Sequence, residues 1–158
     1  MALDLVVSLL RVHPFLGAVP AEGLRIVAFT SERRRFRAGT TLFAEGAMSD
    51  GAFLVISGRV DLATRADPTP FVAGPGALVG ELALVVDIER PATAVAIEDV
   101  EVLVILRAVF RRVLGEYPDA AGSIRDLVAD RLAALNAGLA DIGEALAAGA
   151  APREGEPA

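Results

Sequence analysis

The sequence predicts a mainly β fold with flanking helices, an α+β class in which a small barrel or sandwich of about eight strands lies between two helical ends. Short strand-like runs separated by glycines fill residues 31–73, and two more follow residue 90. Apolar residues recur with helical spacing before residue 30 and after residue 107. A chain of 158 residues is long enough for one domain with a substantial core.

The first 30 residues predict two helices. Residues 4–10 are apolar with helical spacing, and His13-Pro14 ends that segment. Pro20 suits the first turn of a second helix, which extends to about Phe29. His13 is the single histidine, and we expect it to cap a helix or lie at the surface rather than to bind haem.

Seven runs between the helical ends predict strands, separated by glycines and by a proline-containing turn at residues 67–70. They occupy residues 33–37, 41–45, 52–57, 59–64, 71–73, 93–97 and 101–106. The first run contains four arginines, which would suit a nucleic acid. In an acidic protein we instead expect a solvated sheet edge whose charges discourage strand addition.

A long final helix is predicted from Pro118 to about Ala148, after a shorter helix that Gly115 ends. Its apolar residues alternate spacings of four and three, which is typical of a heptad seam. We predict a homodimer through this helix; the alternative is a helix that packs on its own barrel. These seam residues are Val128, Leu132, Leu135, Leu139, Ile142 and Leu146.

The predicted domain therefore covers residues 1–148. It divides into N-terminal helices at 1–30, a β-roll at 31–106 and C-terminal helices at 107–148. Residues 149–158 are rich in Ala, Gly, Pro and Glu, which predicts a disordered tail.

Composition excludes several functional classes. The chain has no cysteine, so thiolate chemistry and Cys-based metal sites are excluded. The net charge of −6 argues against direct DNA binding. No apolar run approaches the roughly 18 residues of a membrane span, and no secretory pattern is present, so we expect a cytoplasmic protein.

Residues 80–93 carry the residues most suited to a ligand. Glycine at position 80 permits close backbone approach, and a helical turn beginning at Glu81 would offer free N–H groups to an anion. Arg90 adds a planar, permanently charged donor group, and Glu81 offers an acceptor for sugar hydroxyls. This combination outlines a pocket for a nucleotide monophosphate.

The same residues carry a family resemblance that spans roughly residues 9–140. The segments 36–40, 42–46 and 53–60 lead to a cassette of Gly-Glu-Leu-Ala-Leu at 80–84 and Arg-Pro-Ala-Thr at 90–93. The chain thereby resembles cyclic nucleotide-binding domains of catabolite-activator transcription factors, kinase regulatory subunits and cyclic-nucleotide-gated channels. The resemblance implies an eight-stranded β-roll, or jelly-roll barrel, with N-terminal helices, a short cassette helix and a long C-terminal helix.

The resemblance also implies roles for the cassette residues. Arg90 is similar to the arginine that pairs with the cyclic phosphate, and Glu81 to the glutamate that accepts from the ribose 2′-hydroxyl. Gly80, Leu82 and Ala83 correspond to positions whose backbone N–H groups face the phosphate.

One position departs from the family pattern. Pro91 follows the arginine, where many members have Ser, Thr or Ala, so neither a hydroxyl nor an N–H is available there. In cGMP-preferring members of the family a hydroxyl at this place resembles the guanine-selective contact, so the resemblance implies a preference for cAMP over cGMP. The missing N–H removes a backbone contact with the phosphate. Ala92 and Thr93 complete the pattern, and Thr93 either points into the pocket or fills a half-buried strand position.

The base-binding end depends on the last helix. Asn136 matches a position that reaches the adenine across a dimer in the catabolite-activator branch; the alternative is a solvent-facing polar residue. Arg125 and Arg131 on the same helix either stack on a purine or are solvated.

The sequence predicts a sensor rather than an enzyme. It shows no nucleophile–base arrangement and no metal set, so we expect no enzymatic activity, no metal and no cofactor other than the ligand, cAMP or cGMP. The expected regulator lacks its own output domain and signals by movement of the C-terminal helix to a partner of unknown identity or to a second copy. The alternatives are a ligand-free scaffold that retains the fold, a sensor of another small acid, and a DNA-binding regulator.

Overall fold

The computed structural model of the chain describes residues 2–69, 71–136 and 147–148. Helical segments lie at both ends of a β-rich middle, in the predicted order. The helices are α1 (Leu3–Arg11), α2 (Pro14–Gly17), α3 (Ala21–Thr30), α4 (Arg107–Leu114) and α5 (Pro118–Asn136), with a short 3-10 helix at Glu81–Leu84.

Nine described strands form two antiparallel sheets. They are β1 (Glu32–Phe36), β2 (Thr41–Phe43), β3 (Gly51–Ser57), β4 (Val60–Ala63), β5 (Phe71–Ala73), β6 (Leu78–Val79), β7 (Thr93–Ala96), β8 (Val100–Leu106) and β9 (Ala147–Ala148). One sheet has the order β1-β8-β3-β6-β9 and the other β2-β7-β4-β5. This two-sheet roll with flanking helices confirms the predicted fold class.

Strand β3 is buried on both of its faces. Side chains alternate along a strand, and here Phe53 and Val55 enter the core between the sheets while Leu54 enters a second core beneath the helices. Strand β8 does the same with Val104 and Ile105. The continuous apolar runs of these strands are therefore explained by two separate cores that share one sheet.

The N-terminal helices cover the outer face of that sheet. Phe15 and Leu16 of α2 are fully buried in the helix-side core. His13 precedes α2 and is 2 % exposed; its Nε2 lies 2.9 Å from the carbonyl oxygen of Gly76. The surface alternative was therefore wrong, whereas His13 does occupy the N-cap position of α2, although its side chain makes no capping hydrogen bond. Burial lowers the pKa of His13 below 6.5, although its hydrogen bond to Gly76 opposes the change.

The basic strand lies at a sheet edge, as predicted. Among the strands that the structure describes, β1 pairs with β8 alone, and its arginines are exposed. Glu101 forms ion pairs with both Arg33, at 3.1 Å, and Arg35, at 3.3 Å. The charges of Arg33 and Arg35 are therefore paired within the sheet itself, which agrees with an edge protected from strand addition.

Two predicted boundaries differ from the structure. Leu78–Val79 pairs with β3 and with Ala147–Ala148, whereas the sequence predicted no strand at the first position and a helix at the second. The last helix is described to Asn136. Three seam residues, Leu139, Ile142 and Leu146, and the predicted tail lie outside the described residues, as does the side-chain placement of Leu135.

Candidate anion-binding site

The cassette begins with a left-handed glycine. Gly80 has φ +80°, a conformation that glycine adopts without the penalty of a side chain. A Cβ at this position would lie 2.6 Å from Nη1 of Arg90. Glycine is therefore required twice, by its backbone angle and by the guanidinium packed against it. The 3-10 helix Glu81–Leu84 follows at once, where the sequence predicted a helical turn.

Backbone hydrogen bonds hold Arg90 in place. Its N–H donates to the carbonyl of Ala47 at 2.6 Å, and its own carbonyl accepts from Gly46 at 2.7 Å. The Ser49 N–H donates to Ile88 at 3.1 Å in the same pairing. The β2–β3 loop and the segment before β7 are thus joined side by side, and the arginine is presented from a fixed backbone.

The Arg90 guanidinium is buried on two aromatic rings. Its side chain is 4 % exposed, and its Cζ lies 4.3 Å from the ring centre of Phe43 and 5.6 Å from that of Phe53. The two rings stack with centroids 5.6 Å apart. The nearest carboxylate is the exposed Asp50, whose Oδ1 is 4.0 Å from Nη2. Cation–π contacts therefore provide much of the stabilisation of this charge.

The guanidinium nevertheless retains an unused donor. Among the described side chains, Nη1 of Arg90 is one of three buried polar atoms without a hydrogen-bond partner. Burial lowers the pKa of Arg90 to about 10, with Asp50 raising it and the nearby Arg107 lowering it. At neutral pH the group is still protonated, so a buried cation faces the pocket with a donor free for an anion.

A pocket lies against this guanidinium; its enclosed volume is about 20 Å³, and the space reaches about 320 Å³ only when the adjoining open solvent is included. Its walls combine residues of the cassette and the β2–β3 loop with apolar side chains from β2 and β4, two strands of one sheet. They are formed by Phe43, Ser49, Leu62, Gly80, Leu82, Ala83, Ile88, Glu89, Arg90 and Pro91. Five predicted site residues therefore meet in one place: Gly80, Leu82, Ala83, Arg90 and Pro91.

Arg107 fixes the far side of the cassette. Its Nη1 donates to the carbonyls of Ala83 at 3.0 Å and Val86 at 3.2 Å, and its Nη2 donates to the carbonyl of Ser49 at 2.9 Å. It also contacts the Ser49 hydroxyl, at 3.3 Å, and Asp87, at 3.3 Å. One side chain thus joins the β2–β3 loop to the cassette, and the sequence interpretation did not include it.

Two signals in the sequence could have pointed to Arg107. It is the first residue of α4, where a cation opposes the helix dipole and no acidic residue compensates for it. It also immediately follows the last strand of the roll. A cation in such a position suggests that acceptors elsewhere in the protein hold it.

Glu81 does not line the pocket. Its carboxylate is fully buried on the helical side, where Oε2 accepts from the N–H of Phe15 at 3.2 Å and Oε1 lies 3.5 Å from Nη2 of Arg131. Burial raises the pKa of Glu81, and the contacts with Phe15 and Arg131 oppose that rise. The two cassette charges are therefore separated in this structure, with Arg90 towards the pocket and Glu81 towards the helices.

The remaining predicted residues have mixed positions. Ala83 uses its N–H within the turn, donating to Gly80 at 3.0 Å, so that amide is occupied here. Ala92 is buried and Thr93 is half-buried, and neither lines the pocket. The Thr93 hydroxyl accepts from the Glu45 N–H at 2.9 Å, which fits the strand-filling alternative. Asn136 ends α5, and its side-chain placement lies outside the description.

Within the described residues, no group of three or more His, Asp or Glu side chains is arranged to hold a metal ion. Across those same residues, no helix is both long enough and apolar enough to cross a membrane.

The two-sheet roll thus carries a buried arginine at a pocket beside a glycine turn, an arrangement suited to a small anionic ligand. The family described as "Cyclic nucleotide-binding domain" matches residues 33–117. This match covers more than half of the chain, so the protein belongs to the cyclic nucleotide-binding domain family.

Similar proteins agree with this assignment. A cyclic AMP receptor protein of Thermus thermophilus is 33% identical over 122 residues, covering 75% of this chain and 56% of its own length. A solved cyclic nucleotide-binding-like protein from Brucella abortus is 35% identical with a TM-score of 0.64, covering 71% of this chain and 99% of its own. A lysophospholipase of Aspergillus fumigatus is 28% identical, but only 8% of its length is covered. The chain therefore spans little more than half of the length of the Thermus thermophilus relative and less than a tenth of the length of the lysophospholipase.

Proposed function

We propose that the pocket beside Arg90 binds a cyclic nucleotide monophosphate and that the protein is a regulatory sensor rather than an enzyme. The observation that carries this proposal is the Arg90 side chain, which is 4 % exposed, lines the pocket and has a buried Nη1 without a hydrogen-bond partner. A buried charge with an unused donor is unfavourable unless a partner arrives. A cyclic phosphate supplies one negative charge and acceptor oxygens for this donor.

Family membership supports the ligand class. Arg90 and Gly80 occupy the positions that the resemblance assigns to phosphate binding, and both border the pocket. The apolar walls from Phe43 and Leu62 suit the non-phosphate part of a nucleotide. Family, charge and wall chemistry therefore favour the same class of ligand.

We assign cAMP as the preferred ligand. Pro91 lines the pocket directly after the phosphate-binding arginine, and it offers no hydroxyl for a guanine. The relative from Thermus thermophilus carries the name cyclic AMP receptor protein, which supports the same preference. Asn136 remains the proposed contact for the adenine edge, in a position that depends on the C-terminal helix.

The signal is proposed to leave through α5. Ligand binding would change the position of this helix, and through it a homodimer or a partner protein whose identity is open. No direct DNA contact is assigned to this domain, because the net charge is −6 and the arginines of β1 are paired with Glu101 and Glu32.

Titration calorimetry of the whole chain with cAMP and cGMP tests the proposal. Arg90→Ala should weaken cAMP binding by about 2–5 kcal/mol, or from about 30-fold to several thousand-fold. Arg90→Lys should restore only part of the affinity, because lysine lacks the planar donor group. Arg112→Ala, an exposed arginine on α4, is the matched control and should bind as the wild type does. Light scattering on the same samples reports whether the chain is a dimer.

The competing function is a scaffold that keeps the fold without a ligand. Pro91 favours it, because a backbone donor is missing, and so does the aromatic support that already stabilises Arg90. The absence of heat with either nucleotide up to millimolar concentration would favour the scaffold. Wild-type affinity in Arg90→Ala would remove the site assignment, and a monomeric mass at every concentration would remove the dimer.

A further inference from the structure

The Glu81 carboxylate connects three parts of the protein that are distant in sequence. It follows Gly80 in the cassette, accepts from the N–H of Phe15 in α2, and lies 3.5 Å from Arg131 in α5. Arg131 in turn places its Cζ 5.5 Å from the centre of the Phe15 ring. The N-terminal helices, the cassette and the C-terminal helix therefore meet at one carboxylate.

This contact is incomplete as an ion pair. The 3.5 Å approach of Nη2 to Oε1 lacks hydrogen-bond geometry, since Oε1 has no hydrogen-bond partner. Nη1 of Arg131 is also buried without a partner. The Glu81 carboxylate is thus removed from water without full compensation, which raises its pKa, whereas the Arg131 side chain is 22 % exposed. A contact of this kind is one that a better partner can displace.

The carboxylate cannot serve the pocket from its present position. Gly80 and Leu82 line the pocket on either side of Glu81 in sequence, while Glu81 itself does not. To meet a hydroxyl of a ligand in that pocket, the side chain has to rotate away from α2 and α5. Phe15 and Arg131 then lose their shared acceptor.

We propose that the Glu81 carboxylate is exchanged between Arg131 and the ligand's ribose hydroxyl, which makes Arg131 the residue through which occupancy is reported to α5. This inference rests on the proposed function and adds its regulation. In the empty state Arg131 holds α5 near the cassette. In the occupied state the hydroxyl takes the carboxylate, and the contact that holds α5 is released.

The exchange predicts a specific linkage between helix and ligand. A ligand that needs Glu81 must break the Arg131 contact, so its affinity is lowered by the strength of that contact. A ligand without the ribose hydroxyl does not bind Glu81, so it does not compete with Arg131 for the carboxylate. Removing Arg131 should therefore favour the first ligand and leave the second unchanged.

The test compares cAMP with 2′-deoxy-cAMP on the full chain. Arg131→Met removes the charge and keeps an apolar side chain against Phe15, and it should tighten cAMP binding about tenfold, within the range typical of coupled sites. Its affinity for 2′-deoxy-cAMP should stay within about twofold of wild type. Arg131→Lys keeps the charge and should return the ratio of the two affinities towards the wild-type value. Arg112→Gln removes an exposed arginine from α4 and should change neither affinity.

The result that overturns the inference is a cAMP to 2′-deoxy-cAMP affinity ratio that is the same in wild type and Arg131→Met. Weaker binding of both ligands by that variant overturns it too, because Arg131 would then contact the ligand itself. If Arg131→Met does not fold, Arg131→Gln gives the same comparison. If neither the wild type nor any variant binds either nucleotide, the proposed function is refuted together with this inference. If the nucleotides bind but the affinity ratio does not change, the inference alone is refuted.

Hydrogen exchange in α5 is the second measurement. Amides of Pro118–Asn136 should exchange faster with cAMP bound than with 2′-deoxy-cAMP bound at equal saturation. In Arg131→Met the two ligands should give the same exchange. If both ligands protect the α5 amides equally in the wild-type protein, the proposed transfer of the Glu81 carboxylate from Arg131 to the ligand is contradicted.

Discussion

A single methyl group at Gly80 should disturb both the fold and the ligand site. Alanine at φ +80° pays about 1–2 kcal/mol for the left-handed conformation. Its Cβ would also lie 2.6 Å from Nη1 of Arg90, so the guanidinium must move. Moving it off Phe43, now 4.3 Å away, forfeits a buried cation–π contact worth up to about 2 kcal/mol. We therefore expect Gly80→Ala to lower the free energy of unfolding by about 2–4 kcal/mol.

Two other glycines separate these contributions. Gly39 has φ +86° with no atom within 4 Å of an added Cβ, so Gly39→Ala should pay for the backbone conformation alone. Gly74 has an equally open position without the left-handed angle, so Gly74→Ala should be close to neutral. The difference between Gly80→Ala and Gly39→Ala measures the displacement of Arg90.

Thermal or urea unfolding gives the stabilities, and calorimetry with cAMP gives the affinities. For a chain of this size each kcal/mol lowers Tm by roughly 2–4 °C, so Gly80→Ala should unfold roughly 4–16 °C below wild type. It should also bind cAMP at least about tenfold more weakly, because Arg90 has left its position. Gly39→Ala should keep the wild-type affinity. Equal destabilisation of the two variants, with full affinity in both, would refute the reasoning.

Two further predictions concern the half-buried Arg107 and the buried His13. Arg107→Ala should lower the free energy of unfolding in urea by about 2–4 kcal/mol and weaken cAMP binding, because the carbonyls of Ser49, Ala83 and Val86 lose their donor. The control is Arg111→Ala, since Arg111 is exposed and makes one contact, at 3.5 Å. Equal losses in the two variants would argue against a positioning role for Arg107. Burial lowers the pKa of His13 below 6.5, so on acidification the unfolded chain takes up a proton first, and stability should fall from pH 6.5 down to the pKa of the folded protein. His13→Gln should remove that part of the loss of stability between pH 7.5 and 5.5, and an unchanged slope of unfolding free energy against pH would contradict this. The raised pKa of Glu81 has the opposite effect on stability, but it acts in both proteins and cancels when the two are compared.

The sequence was most informative where local patterns determine structure. Glycines with positive φ, among them Gly39, Gly46 and Gly58, separate the strands just where the strand-like runs ended. Residue types and the family resemblance together predicted the cassette, and in the structure Arg90 and Gly80 line the same pocket. Such features depend on a few neighbouring residues, which the sequence displays directly.

Features that depend on tertiary contacts were not predictable in this way. Leu78–Val79 is a strand only because β3 pairs with it, and two residues are too few to show alternation. The direction of the Glu81 carboxylate depends on α2 and α5, which are 66 and 50 residues away through Phe15 and Arg131. His13 was misjudged for the same reason, since its acceptor, Gly76, belongs to a distant turn.

The two-sided burial of β3 has a consequence for where the chain tolerates added residues. Phe53 supports Arg90 from one face, and Leu54 packs under the helices from the other. Inserting one residue into this strand would turn every later side chain of the strand to the opposite face, so residues of each core would point into the other. The turn that contains the exposed Ala66 and Pro68 belongs to no strand, so an insertion there reverses no strand side chains. A peptide tag or a reporter should therefore be accepted in that turn, while even one inserted residue in β3 should prevent folding.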